Sequence, residues 1–470
     1  MSRVVVLGHC PLPYEDLQRS YGPGTRTWQF AGPLVADGHE VTVVASRIPF
    51  VYPDDREPVK RSEENGCVVY RVEQTAFEVG GQAARIIDEV GPDCLVGATA
   101  YPSYIAAILA GEIPVWADVF GSLLAEAQAK AAAYGDDSFM EHFVRMSKSI
   151  LVVADRFSTV SGRQAYELVG QLGIMERLTS GTIGYDFVFP IPCGVEPMEF
   201  PAPADPTGGR AGPDGFIVLW SGGFNTWTDV DTLFAGLEAA MERSPGVHFV
   251  STGGTIEGHD ELTYPRFEEL VSSSRFRDRF HLKGWVRRSE AMSYYGAASV
   301  GINLDARHYE VTFGSRNRLL EWALAGLPAI STDLCELTGE MASEGKLFTI
   351  PVGDPTALAE RILELESDRG KLARVSDGLA DMVLERYSFE CTVPPLLEWV
   401  RDPSHSPDFP DRRAMRVEAR EATLAALKPA LTPESPLSHK VRHYLKSEGV
   451  SSTVRRVAPY LKRRSGGERP

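Results

Sequence analysis

Short apolar runs alternate with longer amphipathic stretches from the start of the chain to about residue 400. Runs of four or five apolar residues are typical of the fully buried strands of a parallel sheet. The stretches between them repeat apolar residues at three- and four-residue spacing, which predicts amphipathic helices. The pattern therefore predicts an α/β fold, with strands expected at residues 4–7, 41–44, 68–72, 94–97, 115–119, 216–220, 248–251, 300–304 and 329–331.

The segment 201–215 interrupts this alternation. Its sequence, PAPADPTGGRAGPDG, is dense in residues that break regular structure and is typical of a linker. A second alternating region begins directly after it. We therefore expect two α/β domains, at residues 1–200 and 216–387, joined by this linker.

Composition limits the class of protein. The chain has 470 residues, enough for two or three domains, and 43% of them are apolar. Its net charge of −16 argues against nonspecific nucleic-acid binding by the body of the protein, because phosphate backbones are bound by clustered cations. No apolar run approaches the roughly 18 residues of a membrane span, and the first is too short for a signal peptide. The six scattered cysteines follow no metal-binding spacing, so we expect reduced thiols and a cytoplasmic protein.

Candidate chemistry concentrates between residues 313 and 332, which read FGSRNRLLEWALAGLPAIST. A glycine-containing loop opens a predicted helix here, and the amides of a helix's first turn can hold an anion such as a diphosphate. Arg316 and Arg318 lie in that turn, where cations oppose the helix dipole unless an anion completes the site. Glu321 lies three residues after Arg318, so its carboxylate can reach the same edge and accept hydrogen bonds from sugar hydroxyls.

Residues 317–330, NRLLEWALAGLPAI, resemble the donor-site signature of the retaining GT-B glycosyltransferases of family 4, which use nucleotide-sugar donors. In that family the glutamate matched by Glu321 binds the ribose hydroxyls, and the residue matched by Arg318 lies near the diphosphate. The resemblance covers about residues 3–400. It implies two Rossmann-like domains that face each other across a cleft, with a last helix at 388–402 that crosses back onto the first domain.

Other segments carry the same resemblance. Residues 22–44 are similar to the family's opening, in which a loop matched by Gly24 and Arg26 meets acceptor and donor phosphate. Asp118 ends a predicted strand, where family members often place a His or Asp facing the reacting sugar. Alternatively, Gly24 forms a tight turn and Arg26 is a surface cation. The alternative for Asp118 is an aspartate that caps a helix or lies in a turn. The donor site implied by the resemblance further contains Gly222, Gly223, Asn225, Gly284, Trp285, Val286, Glu310, Gly314, Ser315, Arg316 and Asn317.

The sequence departs from the family pattern at two places. The loop after the strand at 216–220 carries neither the Arg nor the Lys that bind the diphosphate in the family, so we expect Arg318, Arg316 and loop amides to replace them. Phe313 stands where many members have a glutamate that contacts the transferred sugar, and Glu310 is the nearest carboxylate.

Asp229 and Asp231 form a D-x-D pair, which resembles a metal-binding motif of another glycosyltransferase architecture. Both lie at a predicted helix start, where capping and the helix dipole favour acidic residues. We therefore expect no bound metal and no cofactor beyond a nucleotide-diphosphate sugar as co-substrate.

The resemblance implies glycosyl transfer with retention of anomeric configuration to a glycan, a lipid-linked or a small-molecule acceptor. The departures leave two alternatives open: a nucleotide-sugar epimerase on the same fold, and a non-catalytic pseudo-glycosyltransferase scaffold. Residues 403–470 form a separate tail, and from Ser438 onward it is basic, with apolar residues near helical spacing. This part is predicted either to contact an anionic inner membrane surface or to be a solvated or partner-docked tail.

Overall fold

The computed structural model describes residues 1–19, 21–48, 51–52 and 57–427. Within these ranges the chain forms two sheets, one on each side of the predicted linker. The strands of the first sheet are β1 (Arg3–Cys10), β2 (Glu40–Arg47), β3 (Val59–Glu64), β4 (Cys67–Glu73), β5 (Cys94–Gly97), β6 (Val115–Val119), β7 (Arg156–Thr159) and β8 (Val188–Pro190). Those of the second are β9 (Phe216–Ser221), β10 (Val247–Thr252), β11 (Phe280–Leu282), β12 (Val300–Asn303), β13 (Ala329–Thr332) and β14 (Phe348–Ile350).

The first sheet has the strand order β3-β4-β2-β1-β5-β6-β7-β8, and only β3 runs antiparallel to its neighbour among these strands. The central strand β1 pairs with β2 from Arg3 opposite Glu40, and Val4 to Leu7 are fully buried. A strand covered on both faces needs such a continuous apolar run. The edge strand β3, with the sequence VKRSEE, is polar and largely exposed, as expected of an edge that avoids pairing with other chains.

The second sheet has the order β11-β10-β9-β12-β13-β14 and is parallel throughout. In both sheets the strand order reverses beside the first strand, β1 or β9, so each domain has a crevice at the carboxyl ends of its central strands. Helices cover both sheets. In the first domain they are α1 (Gly22–Ala36), α2 (Gln74–Val79), α3 (Gly81–Val90), α4 (Ala100–Leu109), α5 (Leu123–Tyr134), α6 (Ser138–Val153) and α7 (Gly162–Ile174).

The helices that follow belong to the second domain and to the return of the chain. They are α8 (Val230–Arg243), α9 (Thr263–Ser273), α10 (Arg288–Tyr295), α11 (Tyr309–Phe313), α12 (Asn317–Leu324), α13 (Glu336–Ser343), α14 (Pro355–Ser367), α15 (Arg369–Ser376), α16 (Leu379–Tyr387), α17 (Phe389–Thr392), α18 (Pro394–Arg401) and α19 (Phe409–Leu427). Two short 3₁₀ turns lie at Ser180–Thr182 and Arg277–Arg279.

Helix α18 returns the chain to the first domain. Its residues Leu396, Trp399 and Val400 are buried in the same apolar cluster as β1, β2 and α1, and the Trp399 ring centroid lies 5.7 Å from that of Trp116 on β6. Trp399 is therefore a packing residue of the first domain.

Helix α19 continues along the first domain and is held there by buried ion pairs. Arg416 Nη1 lies 3.1 Å from Asp155 Oδ1, and Arg177 Nε lies 2.8 Å from Asp408 Oδ2, just before the helix. The first part of the predicted tail is thus an ordered helix that packs on the first domain. Its basic part, from Ser438 onward, lies outside the described residues. None of the described helices has both the length and the apolar character to cross a membrane.

Candidate active site between the two sheets

The carboxyl ends of the two sheets face a shared cavity of about 1160 Å³. It is large enough for a nucleotide sugar and an acceptor, since ligand pockets commonly occupy about 300–1,000 Å³. Residues from both domains line it, including His9 and Phe120 from the first and Trp227, Arg318 and Glu321 from the second. Most of the predicted donor-site residues thus lie on one surface.

The loop after β9 approaches this cavity with its backbone exposed. Gly222 has a φ of +91°, which favours glycine. At Gly223 a Cβ atom would lie 2.4 Å from Ile256, so a side chain has no room there. The predicted Gly222, Gly223 and Asn225 all line the cavity. Because positions 222 and 223 carry no side chain, the peptide groups of the loop can come close to a ligand.

Arg318 lies beside this loop. Its guanidinium carbon is 4.0 Å from the centroid of the buried Trp220 ring, and its Nη2 donates to the carbonyl oxygen of Gly223 over 3.1 Å. Its buried Nη1 has no hydrogen-bond partner, and Arg318 forms no ion pair with any described residue. Burial lowers its pKa to about 10. An anion bound in the cavity would stabilise a cation this poorly compensated.

Arg316 has the opposite environment. Its Nε lies 2.7 Å from Asp305 Oδ2 and its Nη2 lies 3.0 Å from Glu310 Oε2, with all three side chains at least nine-tenths buried. Burial raises the pKa of Glu310 to about 7, although Arg316 opposes this shift. Arg316 lines the cavity with its charge balanced by these two carboxylates, and its use as a second diphosphate ligand stays a prediction. Glu310 is likewise directed to Arg316.

Glu321 occupies the same edge of α12 as Arg318, as its spacing predicts. Its Oε1 accepts from Arg288 Nη2 over 3.0 Å, and its Oε2 accepts from the Tyr295 hydroxyl over 3.2 Å. Burial raises the pKa of Tyr295, so this phenol stays a hydrogen-bond donor. These two contacts fix the orientation of the carboxylate while it lines the cavity.

Asp118 and Arg26 do not lie at the cavity surface. Arg26 Nη2 donates to Asp118 Oδ1 over 2.7 Å and its Nε to Oδ2 over 3.0 Å, and both side chains are 0–1% exposed. Asp118 also accepts from the Ser158 hydroxyl, and Arg26 also donates to Gln29. These two groups bind each other, and their predicted roles at the reacting sugar and at a phosphate stay predictions.

Gly24 lies against the loop after β1. A Cβ atom at Gly24 would lie 1.8 Å from the carbonyl oxygen of Pro11, so the glycine permits α1 to pack on the loop after β1. The neighbouring Gly22 and Thr25 line the cavity in its place.

The segment Gly284 to Val286 of the predicted donor site is covered by the first domain. Trp285 donates its indole N–H to the carbonyl oxygen of Thr255 over 2.9 Å, and its ring lies 5.4 Å from that of Tyr21. The Arg19 guanidinium lies 5.5 Å from the Trp285 ring and pairs with Glu257. The loop after β1 thus bridges the domains over one end of the cavity.

Two features of the site were not anticipated from the sequence. His9 at the end of β1 lines the cavity, its Nδ1 has no partner, and burial lowers its pKa to about 4, so it is a neutral imidazole. Glu126 pairs with Lys130, whose Nζ lies 3.0 Å from His259 Nδ1 of the second domain. His9 could have been predicted, because it lies at the carboxyl end of a strand, where open α/β sheets place ligand-binding groups. The Lys130 contact could not, because it depends on how the two domains meet.

Among the described residues, no group of three or more His, Cys, Asp and Glu side chains is arranged to hold a metal ion. Asp229 caps α8, since its Oδ1 accepts from the Thr232 amide over 3.0 Å, and Asp231 pairs with Arg266 on the surface.

The fold and the cavity together define a two-domain α/β protein whose candidate site lies between the carboxyl ends of its two sheets. Two family models match the chain: "Glycosyl transferase 4-like domain" over residues 21–179 and "Glycosyl transferases group 1" over residues 215–368. The chain belongs to the GT-B glycosyltransferases of the group 1, family 4 type.

Solved structures share this fold. Sucrose-phosphate synthase from Thermosynechococcus elongatus is 18% identical, with a TM-score of 0.64 over 85% of this chain and 98% of that chain. Anabaena HepE in complex with UDP-glucose is 14% identical, with a TM-score of 0.58 over 86% and 99%. An α,α-trehalose-phosphate synthase (UDP-forming) from Burkholderia vietnamiensis is 11% identical, with a TM-score of 0.60 over 85% and 98%. A search of curated proteins found no significant match.

Proposed function

We propose that the protein transfers a glycosyl group from a nucleoside-diphosphate sugar to an acceptor, with retention of anomeric configuration. The observation that carries this proposal is Arg318, a cation beside the glycine loop with a buried and unpartnered Nη1. A structural scaffold has no need of an uncompensated charge in its cavity. A diphosphate leaving group supplies the missing partner.

Negative charge grows on the diphosphate as the glycosidic bond breaks. A preorganised cation that binds this charge more strongly in the transition state accelerates the reaction. Arg318 is held ready by the Trp220 ring and the Gly223 carbonyl. The first-turn amides of α12 add to it, and Asp305 and Glu310 prevent Arg316 from opposing the helix dipole.

Glu321 orients the donor through its ribose. Arg288 and Tyr295 each contact one of its carboxylate oxygens, which leaves lone pairs that can accept from vicinal hydroxyls.

We infer a uridine nucleotide as the first donor to test, because structures with this fold carry names that record UDP or UDP-glucose. Retention follows the family type, in which the leaving phosphate itself is thought to take the acceptor's proton.

The test is turnover of a panel of nucleotide sugars, with products identified by NMR. We expect release of free nucleotide diphosphate, slow with water and faster with an added acceptor. An epimerised nucleotide sugar would favour the epimerase instead. Donor binding measured by calorimetry with no turnover under any condition would favour a pseudo-glycosyltransferase.

A further inference from the structure

We propose that His9 binds the acceptor, with its imidazole Nε2–H donating a hydrogen bond to an acceptor hydroxyl next to the one that reacts. This inference rests on the proposed glycosyl transfer and names a residue that recognises its second substrate. The position of His9, the contacts that fix it and the surroundings of its ring support this role.

His9 lies at the carboxyl end of β1, the strand beside which the order of the first sheet reverses. Open α/β sheets bind their ligands in the crevice at this point. The His9 side chain is partly buried and lines the cavity. Arg318 and Glu321, the predicted donor residues, line the same cavity from the second domain. His9 therefore belongs to the domain that is left for the acceptor.

Two hydrogen bonds fix His9 against the start of α1. Its backbone N–H donates to the Thr27 hydroxyl over 2.8 Å, and this hydroxyl donates to the Pro23 carbonyl oxygen over 2.9 Å. Gly22, in the first turn of the same helix, lies against α12, because a Cβ atom there would lie 3.0 Å from Asn317 Nδ2. Asn317 begins the helix that carries the predicted donor residues. His9 is thus held close to the place where the first domain meets the donor site.

The surroundings of the ring indicate which nitrogen carries the proton. Nδ1 is buried and has no hydrogen-bond partner, and burial lowers the pKa of His9 to about 4. The neutral ring has one nitrogen as donor and the other as acceptor. Native structures leave a buried N–H without a partner more rarely than a buried acceptor, so we infer that Nε2 carries the proton. Because Nδ1 is enclosed by protein, the ring reaches the cavity through its Nε2 edge.

The chemistry of an N–H donor decides which hydroxyl it serves. A hydrogen bond donated to the attacking oxygen would withdraw electron density from this oxygen and slow the transfer. A neighbouring hydroxyl, which does not react, can accept the same hydrogen bond without this penalty. In this role His9 orients the acceptor and takes no proton during the reaction.

The test moves a donor group between the positions of the two ring nitrogens. The side-chain amide nitrogen of His9→Gln lies close to the position of Nε2, whereas that of His9→Asn lies close to the position of Nδ1. We expect His9→Asn to raise the acceptor KM about tenfold, as for one lost hydrogen bond, and His9→Gln to stay within about threefold of the wild type. Steady-state assays of the full chain use glucose, mannose, galactose and fructose as acceptors, with the nucleotide sugar that is turned over fastest.

The donor supplies the first control, because its sugar also carries hydroxyls. The donor KM and the slow hydrolysis of the donor by water should be unchanged in both variants. His248→Asn makes the same change at a buried histidine outside the cavity lining, and it should leave the acceptor KM as in the wild type. Thermal unfolding of each variant shows whether its fold is intact.

NMR of the histidine ring nitrogens provides a measurement on the wild-type protein itself. We expect the Nε2–H tautomer for His9, and a shift of its Nε2 resonance when an acceptor sugar is added to the complex with UDP. The resonance is assigned by its absence from the spectrum of His9→Gln.

An Nδ1–H tautomer, an unchanged acceptor KM in His9→Asn or a raised donor KM in either variant would overturn the inference. So would a fall in kcat of about 10²-fold or more in His9→Gln, since an amide cannot replace a general base. Donor hydrolysis by a wild type that neither uses nor binds any of the four sugars would overturn it as well. A wild type that turns over no nucleotide sugar would instead count against the proposed function.

Discussion

Arg316 and Arg318 lie two residues apart in the sequence and have opposite surroundings. Arg316 is neutralised by Asp305 and Glu310, whereas Arg318 rests on an aromatic ring with one buried nitrogen unpartnered. A paired guanidinium contributes to folding, and an uncompensated one contributes to ligand binding. This difference in surroundings supports a structural role for Arg316 and a ligand-binding role for Arg318.

Replacing Arg318 by Ala should lower kcat more than it weakens donor binding, since this cation acts on charge that develops in the transition state. The loss of one such preorganised donor costs about 2.7–4 kcal/mol, or about 10²–10³ in rate. Steady-state kinetics with varied donor measures both quantities. A near-normal kcat would place leaving-group stabilisation elsewhere.

Glu321→Gln should mainly raise the donor KM, because ribose hydroxyls are present equally in the ground and transition states. We expect an increase of about 10- to 100-fold, corresponding to about 1.5–3 kcal/mol for hydrogen bonds to a charged group. Arg288 is the matched control. Arg288→Lys preserves a cation beside Glu321, so it should have a smaller effect on the same KM.

Arg26 and Asp118 should affect stability first. Arg26→Met leaves the Asp118 carboxylate buried without its partner, which costs about 3–5 kcal/mol in the free energy of unfolding. Urea denaturation measures this loss. Arg401→Met, which removes an exposed pair with Asp37, is the control and should change stability far less. An Arg26 variant with wild-type stability and lost transfer would support the predicted substrate-binding role.

At the scale of elements, the site is built from strand ends and the first turns of the helices that follow them. The β9–α8 loop brings its backbone to the cavity, and α12 brings Arg318 and Glu321 to the same edge. Asp229 is part of this construction, because its side chain caps α8 directly after the glycine loop. A D-x-D sequence at this position is therefore explained by helix capping.

Asp229→Ala should lower the free energy of unfolding by about 0.5–2 kcal/mol, the usual contribution of an N-cap side chain. Asp231→Ala, at an exposed position two residues later, is the control and should have little effect. Activity of the wild type and of Asp231→Ala should persist in excess EDTA. Activity lost in EDTA and restored by manganese or magnesium would support a metal role for this pair.

At the scale of the whole molecule, the two domains contact each other on several sides of the cavity. Glu336 of the second domain accepts from the amides of Gly162 and Arg163 over 3.2 and 3.0 Å, and Ser161 donates to the Phe313 carbonyl oxygen over 2.6 Å. Lys130 meets His259 on another side. The active-site cavity therefore depends on the relative position of both domains.

The basic segment 438–470 belongs to this scale, and its role stays a prediction because it lies outside the described residues. If it binds anionic membranes, its removal should abolish binding to vesicles that contain phosphatidylserine. Each cation near such a surface contributes about 1 kcal/mol. If membrane contact is its role, turnover of a soluble acceptor should be unchanged. Equal vesicle binding by the truncated protein would contradict this role.

The pattern of apolar runs predicted the α/β class and the positions of most central strands along the chain, because a strand buried on both faces needs an apolar run. The match of residues 317–330 to a donor-site signature predicted the glycosyltransferase assignment, which the family models confirm. Local spacing also placed Arg318 and Glu321 on one edge of a helix, since that relation depends on helix geometry alone.

The tertiary structure decided which charges are available. Arg26 and Asp118 are 92 residues apart in sequence and form a buried pair, and Arg316 finds its partners on the loop after β12 and on α11. No local pattern encodes such contacts, because they arise when distant strand ends meet. The sequence therefore identified the residues with suitable chemistry, and the packing of the domains determined which of them face the cavity with their charge uncompensated.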